Sequence, residues 1–571
     1  MMKPIAIDWR LTLAATLITG VALAGCSQGG EDTASQTSSD EPAESAKTRE
    51  ATGDVHPVTG EPLAEEQVFT YRALDESSSL DPQLVEDVDG SYIVRDLFEG
   101  LLNSNEQGNV IPGVAERYET EDNQTWTFYL RDDAKWSDGE PVTAQDFVYA
   151  WRRAVDPELA SPYAWYMSLM ALENVEAILE GELPPSELGV EAIDDTTLRV
   201  SLSRPLPHFA QMVTHATTFP APQWVIEEHG EDWTKPGNLV GNGAFVLTEH
   251  VINERLVRER NELYWNNEDN LMDKVVTLVI NDENQALNRY DAGELDKTDV
   301  PAGQYPRLES EYPDQTHVFP QLCNYYYIFN TNVEPFDDPR VRRALSYAID
   351  RNVIVDNVLQ GGQYPAYTFT PTLTAGFTPP DVAWGEWTQE ERDARAVELL
   401  AEAGYGPDNP LETSLLYNTD EAHRKVAIAV SSMWEEKLGV DAELENQEWT
   451  TFLTTRSEGN FEIARGAWCG DYNEASTFLD LMQSRSGYND ANYDSEEYDR
   501  LLAEAQTQSD PSANYTAMEE LIAVDMPNAP VYHYTETIML KPDVKGWPFD
   551  DIQQNIYSRN LYIVADQAVN R

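Results

Sequence analysis

Side chains that can together hold a zwitterion stand within seven residues of one another: Arg465, Trp468, Cys469 and Asp471, in the run Ala464-Arg465-Gly466-Ala467-Trp468-Cys469-Gly470-Asp471-Tyr472-Asn473. A carboxylate accepts from an ammonium group, a guanidinium forks onto a carboxylate, and an aromatic face packs what lies between. A short peptide is the commonest zwitterion of that size. The segment reads as a strand running into a loop.

Other elements must hold that run in place. Val68–Leu74 and Trp126–Arg131 alternate apolar and polar residues, as strands do. Trp136-Ser137-Asp138-Gly139 is turn chemistry. Thr143, with Asp146 three residues on, opens a helix carrying Phe147, Tyr149, Trp151 and Val155. Ile193 to Val200 reads as a hairpin around Asp194-Asp195. Asp338-Pro339 starts a helix with Pro at its first position, presenting Val341, Leu345, Ala348 and Ile349 on one face. Glu391–Ala403 is a helix closed by Gly404. Strands and helices mix without a strict βαβ period, so the class is α/β with mixed sheets. No internal repeat is evident.

The N-terminus carries Lys3 and Arg10, an apolar run from Leu11 to Leu23, and Leu23-Ala24-Gly25-Cys26. The run falls short of the roughly 20 residues of a membrane span and suits a signal peptide. The tetrapeptide resembles a bacterial lipobox, with Cys26 as the lipidated residue. The alternative is an ordinary cleaved signal, and Asp8 is unusual in such a leader. Residues 27–66 hold ten acidic residues against Lys47 and Arg49 and no aromatic. Such a segment buries too little apolar surface to offset its ordering entropy, and a disordered tether is expected.

About 500 residues follow, enough for two or three domains. The whole chain has 101 acidic against 38 basic residues, a net charge of −63. That excludes a nucleic-acid partner, which needs a basic face. It suits a surface adapted to salt, where the Debye length falls to about 3 Å at 1 M. Of three cysteines, Cys26 belongs to the leader. Cys323 and Cys469 remain, either as a disulfide, as export favours, or as two buried thiols. With no histidine nearby they make a poor zinc site, and no cofactor is expected.

Ordered segments across nearly all of this body resemble the solute-binding proteins of peptide and nickel ABC importers, and among them the oligopeptide-binding proteins of Gram-negative bacteria. They are Ser79-Leu80-Asp81-Pro82, Arg95 to Leu101, Trp126 to Trp151, Gly241 to Phe245, Tyr264-Trp265-Asn266, Asp338 to Arg351 and Asn446 to Trp449. The resemblance implies a two-lobed periplasmic-binding-protein fold with a hinge and an extra domain. The first lobe would comprise 67–98, 223–322 and 536–571, the extra domain 99–222, and the second lobe 323–535. It pairs Cys323 with Cys469.

The resemblance also implies a site. Asp471 would accept the ligand's α-ammonium, while Arg465, Arg456 and His423 would be cations meeting its carboxylate at different peptide lengths. Glu86 and Val88 would pair with the peptide main chain opposite Ala467, Trp468 and Cys469, by strand addition. Tyr163, Trp449, Trp468 and Tyr534 would form pocket walls. Asn357 and Leu359 stand where relatives carry lysine, so one carboxylate-binding cation is missing. The expected protein is a monomeric, lipid-anchored periplasmic receptor. It would take peptides of two to five residues and serve the permease and ATPase of an importer.

Three alternatives stand beside this reading. A murein-tripeptide or dipeptide binder of the same family is the nearest. A secreted acidic hydrolase is disfavoured, because the chain has no serine elbow, no His-Glu-x-x-His and no free Cys–His pair. A purely structural lipoprotein would lack ligand-driven closure.

Overall fold

The two longest strands, Thr316–Phe329 and Asn528–Leu540, run antiparallel and carry the architecture on both sides. They lie in the middle of an eleven-stranded mixed sheet of this computed structural model, which describes residues 51–508 and 510–565. On one side follow Lys297–Asp299, Val68–Ala73, Lys274–Val279, Arg255–Arg260 and Phe245–Val251, the first lobe. On the other follow Ile463–Cys469, Glu412–Asn418 and Asp441–Gln447, the second lobe. Val68–Ala73 runs parallel to Lys274–Val279, and Glu412–Asn418 parallel to both of its neighbours, which makes the sheet mixed.

The ladder between the two long strands breaks between Pro320↔Thr535 and Asn324↔His533. Pro320 has no N–H to donate, so the break falls where the chain cannot keep its ladder. A separate four-stranded antiparallel sheet, in the order Ala115–Glu119, Thr125–Leu130, Thr197–Ser201, Val190–Asp194, is the core of a small third domain.

Local signals act as expected at several points. Thr143 and Asp146 form a reciprocal capping box at the helix Ala144–Ala154, where Thr143 N donates to Asp146 Oδ2 at 2.7 Å. Asp338 caps the helix Pro339–Ala348 by accepting from Arg340 N at 2.8 Å. The helix expected at Glu391–Ala403 is Gln389–Glu402, because Thr388 and Glu391 form its capping box.

One expectation is corrected. Residues 27–66 were expected to be a disordered tether, but Ala51–Val55 and Pro62–Ala64 pair as antiparallel strands. His56 stacks on Tyr562 at 4.1 Å, and the Tyr562 hydroxyl donates to Glu61 at 2.8 Å. Leu63 and Ala64 are buried. Docking on the distant C-terminal segment supplies apolar contact that local composition does not reveal. Cys26, the leader and the rest of the tether lie outside the described residues.

Candidate functional site

The run singled out above is the strand Ile463–Cys469 with the loop that follows. It pairs with Thr316–Phe329 from Phe329↔Ile463 to Cys323↔Cys469, and the last pair is closed by a disulfide. Gly466 lets the strand lie close against its partner, since a Cβ there would run into the Tyr326 ring.

The Cα atoms of Cys323 and Cys469 are 4.0 Å apart. That is the close spacing of a non-hydrogen-bonded antiparallel pair, so the Cys469 amide and carbonyl point away from that partner. By the two-residue period those of Ala467 and Arg465 do too. On that outer side Glu412–Asn418 pairs only as far as Ile463 and Ala464. Ala467 and Cys469 thus present a strand edge with no neighbour in the sheet.

Asp471 follows at the end of this edge, its amide donating to Thr477 Oγ1 at 3.0 Å. Two groups of the small domain reach its buried Oδ1 at 3.4 Å: the Tyr163 hydroxyl and His215 Nε2. His215 Nδ1 accepts from Thr217 N at 3.3 Å, so a neutral ring carries its proton on Nε2 and donates to the carboxylate. Burial, then the Asp471 charge, holds the Tyr163 phenol well above its ordinary range, keeping it a donor. Asp471 Oδ2 is buried with no hydrogen-bond partner among the described residues. A buried acceptor in that position is costly unless something donates to it.

Aromatic rings wall this end. Trp468 lies 5.0 Å from Tyr488, 5.8 Å from Trp165 and, stacked, 6.5 Å from Tyr163. Both indole N–H groups, of Trp165 and Trp468, are buried and unpartnered. Trp449, half-buried, stacks on Phe452 at 5.9 Å and is not part of this cluster.

At the other end Arg465 donates to the Tyr534 hydroxyl at 2.9 Å and to Asn418 Oδ1 at 3.4 Å. Its guanidinium lies 5.1 Å from the Tyr325 ring centroid. Burial works against its charge, but Tyr534, Tyr325 and Tyr532 outweigh that and keep it firmly protonated. Its Nε has no partner, and no carboxylate pairs with it among the described residues. Six extended residues, about 20 Å at 3.3 Å each, separate this cation's backbone from that of Asp471.

The other two expected cations differ from Arg465. Arg456 pairs with Asp490, Nε to Oδ2 at 2.8 Å, so its charge is already engaged. His423 is no cation at all: burial first, then the Arg465 charge, pushes it down to about 3. Leu359, where a lysine was expected from relatives, is buried in the second-lobe core, and Asn357 is exposed. The Glu86 carboxyl accepts from the Tyr488 hydroxyl at 3.1 Å across the two lobes. Val88 is exposed at the first turn of the helix Val88–Leu97, capped by Asp87. His215, Trp165 and Tyr488 were not anticipated. The Tyr163-x-Trp165 spacing was a usable signal for one of them.

A profile of the bacterial extracellular solute-binding proteins, family 5 (middle region), matches residues 109–490. The chain belongs to this family. The periplasmic oligopeptide-binding protein of Escherichia coli is 48% identical over 510 residues, covering 88% of this chain and 94% of the relative. A solved structure of the E. coli murein tripeptide binding protein is 47% identical, covers 88% of this chain and 99% of its own, and superposes with a TM-score of 0.87. The unliganded open form of that protein, 46% identical over 89% of this chain and 99% of its own, gives only 0.65. This family 5 protein has the two-lobed α/β fold of its relatives, with Asp471 meeting Tyr163 of the small domain and Glu86 meeting Tyr488.

Proposed function

We propose that this protein is an exported receptor that captures short linear peptides between its lobes and hands them to the permease and ATPase of an ABC importer. The carrying observation is the buried Asp471 carboxylate, met at one oxygen by the Tyr163 hydroxyl and His215 Nε2 while its second oxygen has no partner among the described residues. A peptide α-ammonium there gives charge-assisted hydrogen bonds that offset its own desolvation. The peptide main chain adds to the edge at Ala467 and Cys469. Its carboxylate is drawn to Arg465, since Arg456 is paired and His423 neutral. Trp468, Trp165, Tyr163 and Tyr488 give side chains an apolar, shape-tolerant wall.

The first lobe in this reading comprises 67–98, 223–322 and 536–565, with the hairpin of residues 51–64 docked on it, the small domain 99–222 and the second lobe 323–535. The receptor is a monomer, held at the membrane by a lipid on Cys26, and it is not an enzyme.

Native mass spectrometry of the protein as purified from cells, followed by calorimetry with trialanine, tests this. Co-purified peptides, and trialanine binding that collapses in Asp471→Ala, are expected. A protein that ignores linear peptides but takes L-Ala-γ-D-Glu-diaminopimelate would move the ligand to murein tripeptide within the same family.

A further inference from the structure

Behind the Asp471 loop, the small domain and the second lobe enclose a cavity of about 270 Å³ that shares no residue with the peptide site described above. This is below the roughly 300–1,000 Å³ of pockets that hold drug-sized ligands. Arg204 and His208 come from one wall, and Tyr472, Glu474, Asp480 and Tyr515 from the other. His208 stacks on Tyr472 across the junction, with centroids 5.3 Å apart and planes at 13°.

Asp480 is the anomaly. It is only 4% exposed, and its Oδ1 is buried with no hydrogen-bond partner among the described residues. Leaving a carboxyl oxygen so is expensive, whether the group is ionised or neutral. Glu474 lies in the same pocket, with Oε2 accepting from Ser476 N at 2.8 Å. Leu206, Leu502 and the faces of Tyr472 and Tyr515 supply apolar and π surface.

We propose that this pocket is a second ligand site, taking a primary ammonium group on a small apolar body. The N–H donors go to Asp480 and Glu474, and the body lies against Tyr472, Tyr515 and the leucines. Glu474 and Asp510 facing the Arg204 guanidinium leave the pocket net negative even while Asp480 holds its proton, which favours a cation over an anion. Because the walls belong to two domains, the ligand also favours the shut arrangement, and peptide and amine should tighten each other. That last clause rests on the peptide reading.

Protonation gives the site a signature. Burial above all, then the Glu474 charge, pushes the Asp480 carboxyl up to about 8, against the pull of Arg204. Tyr472, Tyr498 and Tyr515 also face it, while Asp510 and a neutral His208 line the same pocket. Near neutral pH an arriving ammonium must therefore expel a proton.

The test is calorimetric titration of the full protein with n-butylamine, without peptide, at pH 6.5 and pH 9, with 1-butanol and potassium as controls. Binding at pH 9 should exceed that at pH 6.5 by at least about tenfold. Asp480→Asn, nearly isosteric, should weaken the amine by about tenfold or more and leave trialanine affinity unchanged. Repeating the wild-type titration near pH 7 in two buffers of different ionisation enthalpy should show proton release, and this holds even if the variant fails to fold. Absence of amine binding at pH 9, binding that survives Asp480→Asn, no proton release, or equal binding of 1-butanol or potassium would each overturn the proposal. Amine titrations read this site without peptide, so its failure is separable from failure of the peptide reading.

Discussion

Asp471 and Arg465 carry opposite charges six residues apart and draw their neighbours from different parts of the molecule. Arg465 is held by Asn418, Tyr534 and Tyr325, all on strands that join in the second-lobe half of the sheet. Asp471 is met by His215 and Tyr163, both from the small domain. One charge therefore takes its setting from within the second-lobe half of the sheet, while the other takes its setting from a different domain. On the proposed reading, such a receptor tests the carboxylate end of a peptide while open and commits through the ammonium end as it shuts.

Breaking the assembled end should cost most. Asp471→Ala leaves a buried ammonium unpaired, which costs about 3–5 kcal/mol, so trialanine affinity should fall roughly hundredfold to several-thousandfold by calorimetry. N-acetylated trialanine should lose as much against the wild type. Equal affinity for the acetylated peptide would refute the assignment of this end.

The preformed end should be more forgiving. Arg465→Met removes a charge-assisted bond of about 1.5–3 kcal/mol, a loss of roughly ten- to hundredfold, and C-amidated trialanine should lose a similar amount. If amidation cost more than acetylation, the contrast between the ends would be reversed.

Stability against acid sharpens the same contrast. His423 has its folded pKa depressed to about 3 from an ordinary value near 6.5, chiefly by burial and then by Arg465. The unfolded chain takes up the proton first, so this contribution is full above pH 6.5 and is lost as pH falls towards 3. Between pH 7 and 5, chemical denaturation should show about 1–2 kcal/mol more loss in wild type than in His423→Gln. His533, pushed down to about 4 by burial, adds a second such group and should be unaffected by that substitution.

The smallest effect concerns closure itself. His215→Ala removes one donor from Asp471 and should weaken trialanine by about 0.5–1.5 kcal/mol. Small-angle scattering should show a larger fraction of open molecules at subsaturating peptide. An unchanged open fraction would mean that the small domain does not report on the ammonium end.

Much of the fold was legible because its signals are local. The caps at Thr143 and Asp338, the hairpin at Ile193 to Val200 (its turn one residue further on, at Asp195-Thr196) and the alternation at Val68 act over a few residues. So was the run from Arg465 to Asp471, where the chemistry is contiguous. What could not be read depends on distant partners. Arg456 looks like a free cation until Asp490 is seen beside it, and His423 looks titratable until burial and Arg465 are counted. The hairpin at Ala51–Ala64 is polar by composition, and its attachment to Tyr562 lies some 500 positions away in the chain.

The free edge at Ala467 and Cys469 has a cost that the fold must manage. An unpaired row of backbone donors and acceptors, on a strand stapled flat by a disulfide, recruits any extended chain, including one from a neighbouring molecule. On the outer surface it would be a seed for sheet growth between copies. Recessed between two lobes of a strongly acidic body, it admits a strand only one peptide deep, and a folded copy cannot enter. On the proposed reading, the same crevice that receives a peptide also shields this edge from neighbouring copies, so variants locked open should aggregate sooner than those locked shut.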